Sequence, residues 1–412
     1  MKSRDLNNFF NPKTIALVGA SNDFSKVGGI LMQKLLKFKG QVIPVNPKHE
    51  TIFDQKSYNS ILDYSKKIDL VIIAIPSKFV LKIIKECEKK KIKNIIIISA
   101  GFAEQGNKKL EDQLIKAAKK YSMNILGPNC FGIANPTINL DTTFSNLSPS
   151  KGSTAFISQS GALASYIFDL KNTKLSGFVS LGNASDLNFS DWIEYFSKDK
   201  KTKRIVLYVE KIREGQRFVD ICKKCKKDII AIKAGKTQKG SKATLSHTGG
   251  LATDYLVYKG VFQQAEVNLV ESIFSSLQSN LRKVRGKKVI ILTNAGGAGV
   301  LISDTLTEKG YKVIGEPIDI LGDATSEDYE QKLKDISKRK DFDFLFVILT
   351  PQKMSEPEKT AQEIVEFAKK KKVVVCFLGQ KSLKGAIKIF KKNKINYLKK
   401  ANKIKNILGT KF

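Results

Sequence analysis

Short apolar runs alternate with amphipathic segments along almost the whole chain. The runs at residues 14–18, 70–75, 94–99 and 344–349 are rich in Val, Ile and Leu and are only as long as single strands. Continuous apolar runs of this length are typical of parallel strands that are buried on both faces, and the segments between them have helical periodicity. The pattern therefore predicts an α/β protein with open parallel sheets, in which ligands bind at the carboxyl ends of the strands.

Glycine-containing turns follow the apolar runs in the first third of the chain. Residues 19–22 read GASN and residues 26–29 read KVGG, just before a predicted amphipathic helix. Such a turn lets backbone N–H groups and a helix N-terminus approach a phosphate, although plain turn geometry is the alternative for any single glycine. The turn is not GxGxxG, and the next predicted strand ends in Asn46, where NAD-binding proteins usually place an acidic residue. These two features disfavour a NAD-linked dehydrogenase.

The middle of the chain repeats the alternation and adds a second candidate anion site. Residues 158–162 read SQSGA and turn from an apolar run into a predicted helix. The N-terminus of that helix can hold an anion. Glu210 follows the apolar run at 204–209 and would lie at the same sheet edge as the end of the run at 229–233. A surface pair with Lys211 or Arg213 is the alternative for Glu210.

His247 is one of only two histidines in the chain, and small residues flank it on both sides. It lies in residues 233–254, which read KAGKTQKGSKATLSHTGGLATD. A neutral imidazole nitrogen presented in this way can attack a phosphoryl group and carry it. The alternative is that His247 only caps a helix that begins near Leu251.

The last third contains another strand-to-helix turn with several glycines. Residues 294–299 read NAGGAG after the apolar run at 289–293, and two further runs at 344–349 and 373–378 complete a small α/β unit. The turn offers a third anion site at a helix N-terminus. Neither a GxxxxGK[ST] loop nor an ATP-grasp segment is recognisable, so we do not expect this chain to hold ADP well by itself.

Composition narrows the class of protein. The chain has 412 residues, 42% hydrophobic content and a formal net charge of +33. The charge suits nucleic-acid binding or a solvated lysine-rich surface, and we favour the second because no aromatic-interleaved basic stripe occurs. The five cysteines form no disulfide framework, and Cys222 and Cys225 lack the second pair that a zinc site needs. No apolar run is long enough to span a bilayer and no signal peptide begins the chain, so we expect a cytoplasmic protein without membrane or nucleic-acid partners.

The motifs GAS, KVGG, PVNPK, AIPS, SAGF and GPNCFG occur in this order in the first third. In this they resemble the CoA-binding domain of the NDP-forming acyl-CoA synthetases, a family that is related to succinyl-CoA synthetase. The resemblance implies a Rossmann-like domain and CoA contacts from these positions: Gly19, Ser21, Lys26, Val27, Asn46, Pro47, Lys48, Ile75, Pro76, Ser99, Ala100, Gly101 and Asn129.

The motifs SQSGALA, SLGNASD, YVEKIREGQRF and SHTGGLA resemble the flavodoxin-like ligase domain of the same family, and the last third resembles its additional ligase domain. The resemblance implies that His247 is phosphorylated and that Glu210 supports it. It also implies phosphate binding at the two helix N-termini, Ser160, Gly161, Ala162, Gly296, Gly297, Ala298 and Gly299. Ala298 replaces a proline that is usual in the family, which changes the stiffness of the turn but leaves its N–H groups.

The resemblance covers nearly the whole chain and implies the alpha subunit of an ADP-forming acyl-CoA synthetase. Such an enzyme converts acyl-CoA, ADP and phosphate into a carboxylic acid, CoA and ATP through an acyl phosphate and a phosphohistidine. It further implies a beta-type ATP-grasp partner that holds ADP or ATP with Mg²⁺, in a hetero-oligomer such as α2β2. The expected domains are residues 1–135, 150–285 and 286–412. The rival hypotheses are a non-catalytic CoA sensor and a succinate-type ligase.

Overall fold

The computed structural model describes residues 4–170, 173–237, 240, 255–270, 286–322, 324–352, 354–398 and 407–408. These residues form three mostly parallel sheets, each flanked by helices. The α/β class and the parallel sheets that the apolar runs predict are therefore confirmed.

The first sheet has five parallel strands in the order β2-β1-β5-β6-β7. Its strand order reverses beside β1, and this is the position at which open α/β sheets place their ligands. The first-unit strands are β1 (Thr14–Val18), β2 (Gln41–Val45), β5 (Leu70–Ile73), β6 (Asn94–Ile97) and β7 (Asn124–Leu126), with a small hairpin of β3 (Thr51–Ile52) and β4 (Gln55–Lys56). The helices are α1 (Asn7–Phe10), α2 (Val27–Leu35), α3 (Val80–Lys89) and α4 (Lys108–Lys120).

The second sheet has seven strands in the order β14-β13-β12-β10-β11-β8-β9. Strands β8 (Ile133–Asn135) and β9 (Leu140–Asp141) are antiparallel additions at one edge, and β9 lies between the expected domains 1–135 and 150–285. The parallel strands are β10 (Ser150–Ser158), β11 (Lys174–Ser180), β12 (Arg204–Val209), β13 (Asp228–Lys233) and β14 (Asn268–Val270). The helices are α5 (Gly161–Asp169), α6 (Phe189–Lys198), α7 (Gly215–Lys224) and α8 (Tyr255–Gln264).

The third sheet has the order β16-β15-β18-β19-β20, and the short strand β17 pairs with β15 as well. Its strands are β15 (Lys288–Thr293), β16 (Lys312–Val313), β17 (Ile318–Asp319), β18 (Phe344–Leu349), β19 (Val373–Phe377) and β20 (Asn396–Tyr397). Its helices are α9 (Gly296–Glu308), α10 (Ser326–Ser337), α11 (Pro357–Ala368) and α12 (Lys384–Lys392).

The second unit packs against both of the others, so two hydrophobic cores cross unit boundaries. One core joins Leu17 of the first sheet to Ile157 of the second, and the fully buried Trp192 packs edge-on against Phe9 with ring centroids 5.3 Å apart. The other core continues from Phe156 in the second sheet into the third unit. Burial of this much shared apolar surface holds the three units in one arrangement. The site described below depends on that arrangement.

Among the helices in the described ranges, none is both long enough and apolar enough to cross a membrane.

Candidate active site

A cavity of about 630 Å³ opens where the carboxyl ends of the three sheets converge. The first unit contributes the turns after β5 and β6, the second the start of α5, and the third the start of α9 with the loops after β17 and β18. Ten of the predicted site residues line it: Val27, Ile75, Pro76, Ser99, Ala100, Asn129, Ser160, Gly161, Ala162 and Gly296. The structure thus places predicted CoA residues and predicted phosphate residues in one space.

Close backbone approach shapes the turns after β1, β2, β5 and β6. These are called the CoA-side turns because they contain predicted CoA contacts. Gly19 has a φ of +93°, and a Cβ there would lie 2.3 Å from the carbonyl oxygen of Ala74. A Cβ on Gly28 would lie 1.8 Å from the carbonyl oxygen of Gly19. Only glycine fits at either position, because real Cβ atoms do not approach an oxygen this closely. The two glycines therefore bring the first turn of α2 directly against the β1 turn.

Polar side chains on this side also hold the turns in shape. Asn46 donates its amide N–H to the carbonyl oxygen of Ala20 at 2.8 Å and accepts the N–H of Lys48 at 2.9 Å. Ser99 Oγ accepts the N–H of Ile75 at 3.2 Å. These bonds tie the ends of adjacent parallel strands to one another. Gly19, Ser21, Lys26, Asn46, Pro47, Lys48 and Gly101 do not line the cavity, and they remain predicted CoA contacts.

The first of the two helix ends that line the cavity is the N-terminus of α5. Ser160 caps this helix and accepts the N–H of Leu163 at 3.3 Å. A Cβ on Gly161 would lie 2.6 Å from Cβ of Phe131, so glycine is needed where the helix meets the first unit. Backbone N–H groups in the first turn of a helix have no acceptor within that helix. The cavity-lining start of α5 therefore offers N–H groups that suit an anion, and the phosphate role of residues 160–162 stays a prediction.

The second helix end is the N-terminus of α9 in the third unit, and it packs against the N-terminus of α5. Gly296 lines the cavity. Gly297 lies behind it, where a Cβ would approach Ser160 Oγ to 2.8 Å and the Tyr208 hydroxyl oxygen to 2.7 Å. Ala298 and Gly299 are buried in the helix and do not line the cavity. The phosphate role predicted for residues 297–299 stays a prediction, and the cavity geometry favours Gly296 among the four.

A buried group of charged residues lies beside the second sheet edge. Val209 pairs with Lys233 across β12 and β13, so Glu210 follows directly at the same edge. Burial lowers the pKa of Lys233 to about 8, and the charges of Glu210 and Asp304 oppose this shift. The Lys233 ammonium also lies 4.3 Å from the ring centroid of Tyr258. Glu210 is thus a buried carboxylate near a buried cation, not a member of a surface pair.

Gln159 fixes the backbone at Glu210, and Tyr208 joins the preceding strand to the third unit. The Gln159 side-chain oxygen accepts the N–H of Glu210 at 2.7 Å and that of Lys211 at 2.8 Å. The Tyr208 hydroxyl donates to the carbonyl oxygen of Gly297 at 3.1 Å. Burial and the neighbouring Glu210 carboxylate raise the pKa of Tyr208, so its hydroxyl stays protonated. The edge of the second sheet is therefore tied to the third unit.

Asp304 of α9 clamps the segment that leads in sequence towards His247. Its carboxylate accepts the N–H groups of Gly235 at 2.8 Å, Lys236 at 2.9 Å and Thr237 at 2.8 Å, and also the Thr237 hydroxyl at 2.9 Å. Burial raises the pKa of Asp304, and these hydrogen bonds oppose that shift. His247 itself, with residues 241–254, lies outside the described residues. The predicted support of His247 by Glu210 therefore stays a prediction.

Several residues on which this site depends carry no recognisable signal in the sequence. Gln159 lies inside a quoted motif but carries no signal of its own, and Lys233 reads as the last residue of a strand. Asp304 and Gln352 come from the third unit and reach the site only through packing. Among the described residues, no group of three or more His, Cys, Asp and Glu side chains could hold a metal ion. Burial raises the pKa of the Cys222 thiol to about 12.

Comparison with known proteins agrees with this geometry. Residues 13–136 match a CoA binding domain, and residues 151–280 match a succinyl-CoA ligase like flavodoxin domain. The alpha subunit of ADP-forming acetate–CoA ligase II of Pyrococcus furiosus is 36% identical over 428 residues, which cover 95% of this chain and 93% of that subunit. The ADP-forming acetate–CoA ligase of Methanocaldococcus jannaschii is 39% identical, but this chain spans only 60% of its length.

A solved structure is similar over nearly the full chain. It is the dinucleotide forming acetyl-coenzyme A synthetase 1 of Ca. Korarchaeum cryptofilum in complex with phosphate and ADP. The two chains are 33% identical with a TM-score of 0.64, and the match covers 98% of this chain and 95% of the other.

Proposed function

The chain belongs to the family of ADP-forming acetate–CoA ligases, and from this we propose that it is the alpha-type, acyl-handling part of such an enzyme. The overall reaction would convert acyl-CoA, ADP and phosphate into carboxylic acid, CoA and ATP, reversibly. The observation that carries the proposal is the single cavity that joins the CoA-side turns to two helix N-termini. A thioester and an attacking phosphate need such a shared space.

In the first step, phosphate would attack the thioester carbon. CoA would approach over the turns after β1, β2, β5 and β6, with its thioester reaching towards Asn129 and Gly161 in the cavity. A phosphate oxygen adds to the carbonyl carbon, and the C–S bond then breaks to release the CoA thiolate and leave an acyl phosphate. The N-termini of α5 and α9 favour the phosphate here because they present free N–H groups and the positive ends of helix dipoles.

In the second step, His247 would take the phosphoryl group. A ring nitrogen attacks phosphorus, the bond to the acyl oxygen breaks, and the carboxylate leaves. Glu210 would accept the other ring N–H and stabilise the positive charge on the phosphorylated ring. The burial of Glu210 supports this role, because a buried carboxylate interacts more strongly with a cationic ring than an exposed one does.

The third step needs a nucleotide site, which we assign to a partner. An ATP-grasp beta subunit would hold ADP with Mg²⁺ and receive the phosphoryl group from His247, in a hetero-oligomer such as α2β2. The Pyrococcus furiosus relative is named as an alpha subunit, which supports a separate partner. The greater length of the Methanocaldococcus jannaschii relative fits a fused arrangement of the same parts. We place this chemistry in the cytoplasm, where the free cysteines would stay reduced.

Phosphorylation of the purified chain tests the proposal. The wild-type protein is incubated with acetyl phosphate, or with acetyl-CoA and phosphate, and its intact mass is measured at neutral to alkaline pH. We expect an acid-labile adduct of about 80 Da, as a phosphohistidine requires. The His247→Ala variant should lack the adduct, whereas His49→Ala, which removes the other histidine, should keep it.

Absence of the adduct would point away from catalysis. If acetyl, propionyl and isobutyryl donors all fail, even with an ATP-grasp partner and ATP present, the enzyme hypothesis is wrong. A non-catalytic CoA sensor would then be favoured. An adduct from succinyl-CoA alone would instead favour a succinate-type ligase.

A further inference from the structure

Gln352 lines the cavity, and its side-chain amide is buried there. Its side chain is 1% exposed, and it follows β18 in the third unit. Within the described parts of the chain, neither its Nε2 nor its Oε1 has a hydrogen-bond partner. A buried amide without partners is costly, so natural structures keep one where a bound molecule completes its hydrogen bonds. This amide is therefore a candidate ligand group.

The backbone around Gln352 is fixed from two sides. Asn294 accepts the N–H of Thr350 at 2.8 Å and donates to the carbonyl oxygen of Thr350 at 3.0 Å. Asn146, from the segment between the first two units, donates to the carbonyl oxygen of Gln352 at 3.0 Å. The side chain also packs against Gly322, where a Cβ would come within 2.7 Å of its Nε2 and Oε1. The amide is held in place and cannot easily turn to solvent.

The surroundings indicate what the amide would bind. The same cavity contains the first turns of α5 and α9 at Gly161 and Gly296, which favour an anion. It also contains an apolar wall in which the Phe131 and Phe144 rings pack edge to face, 4.2 Å apart. A reacting thioester suits this combination, because its acyl chain needs an apolar wall and its carbonyl oxygen needs a donor. That oxygen becomes negative when phosphate adds to the carbonyl carbon.

We propose that Gln352 is a catalytic residue that binds the reacting acyl group, its Nε2 donating a hydrogen bond to the acyl carbonyl oxygen. The bond strengthens as phosphate adds and the oxygen gains negative charge, and it weakens again when the C–S bond breaks. Gln352 thereby acts on the thioester step and not on the transfer to His247. This inference rests on the proposed function, since it needs an acyl-CoA and a phosphate in the cavity.

Two phosphoryl donors separate the steps. Phosphorylation of the full chain from acetyl-CoA and phosphate requires attack at the carbonyl carbon, whereas phosphorylation from acetyl phosphate does not. We expect Gln352→Leu and the isosteric Gln352→Glu to slow the first reaction about a hundredfold or more, as removal of an oxyanion donor does. The second reaction should change by less than about fivefold, a small effect on the scale of a lost donor.

Control measurements keep the outcomes distinct. Gln331→Leu, at an exposed position on α10, should behave as wild type in both reactions. The dissociation constant of CoA alone should be unchanged in every variant, and fluorescence of Trp192 should show that each is folded.

The inference is overturned if the Gln352 variants react with acetyl-CoA and phosphate at the wild-type rate. It is also overturned if both donors lose activity equally, which would indicate a structural or phosphate-binding role. In either case phosphorylation of the wild type leaves the proposed function standing. A wild-type protein that accepts neither donor would overturn both together.

Discussion

Removal of the Asp304 carboxylate tests how strongly the third unit controls the segment that leads to His247. Asp304→Ala deletes an acceptor of four hydrogen bonds, three of them from successive backbone N–H groups at residues 235–237. The Gly235 contact is buried, whereas the contacts to Lys236 and Thr237 are partly exposed and water can replace them. One fully lost buried contact and three partly replaced ones give a destabilisation of about 3 kcal/mol.

The same loss of free energy should also slow phosphoryl transfer. If half of that free energy is needed to hold residues 235–237 in the productive position, phosphorylation of His247 slows about tenfold. Asp304→Asn should lie between wild type and Asp304→Ala. The asparagine keeps one acceptor oxygen. Its amide NH₂ replaces the second oxygen of Asp304 and therefore faces N–H donors that this oxygen accepts from in the wild type.

The assay combines stability and chemistry. Denaturant unfolding is followed by fluorescence of Trp192, the only tryptophan in the chain, and phosphorylation from acetyl phosphate is followed by intact mass. Asp343→Ala is the matched control, because the Asp343 carboxylate accepts the N–H groups of Lys287 and Lys288 at the exposed start of β15, away from the cavity. This control should leave the phosphorylation rate unchanged.

One result would refute the reasoning. If Asp304→Ala loses stability as expected but is phosphorylated within twofold of the wild-type rate under conditions where it is folded, the clamp is structural only. The position of residues 235–237 would then not limit phosphoryl transfer.

Two further predictions concern backbone fit and a buried charge. Gly28→Ala should abolish CoA binding in a calorimetric titration, because the added Cβ would lie 1.8 Å from the carbonyl oxygen of Gly19. In the control variant Gly260→Ala in α8, the added Cβ meets no atom within 4 Å and should stabilise the fold by up to about 1 kcal/mol. Equal CoA affinities in the two variants would contradict this prediction. Burial lowers the pKa of Lys233 from 10.5 to about 8, so its unfavourable contribution is fully present below pH 8 and disappears as pH rises towards 10.5, where the unfolded chain also loses the proton. The free energy of unfolding of wild type relative to Lys233→Met should therefore rise by about 3 kcal/mol across that window, and a flat difference would exclude a buried lysine of lowered pKa.

Local patterns in the sequence were enough to predict the sheets and the turns at their ends. Apolar runs of strand length predict buried parallel strands, and β18 (Phe344–Leu349) has the predicted bounds. Gly28 and Ser160 mark helix starts because close backbone approach and N-capping are properties of a few consecutive residues. The CoA and phosphohistidine roles came from motif resemblance, which periodicity alone would not supply.

Tertiary structure alone decided how these pieces form one site. Lys233 ends β13 and Glu210 follows β12, whereas Asp304 lies in α9 of the third unit, so their proximity and burial depend on how the units pack. Gln352 reads as an ordinary loop glutamine in sequence, and only the structure shows that its amide is buried beside Gly322 without a hydrogen-bond partner among the described residues. A sequence pattern reports neighbours within a turn or a strand, but burial and electrostatics depend on contacts between residues far apart in the chain. The strands and the turns at their ends were therefore determined locally, whereas the shared cavity was determined by long-range packing.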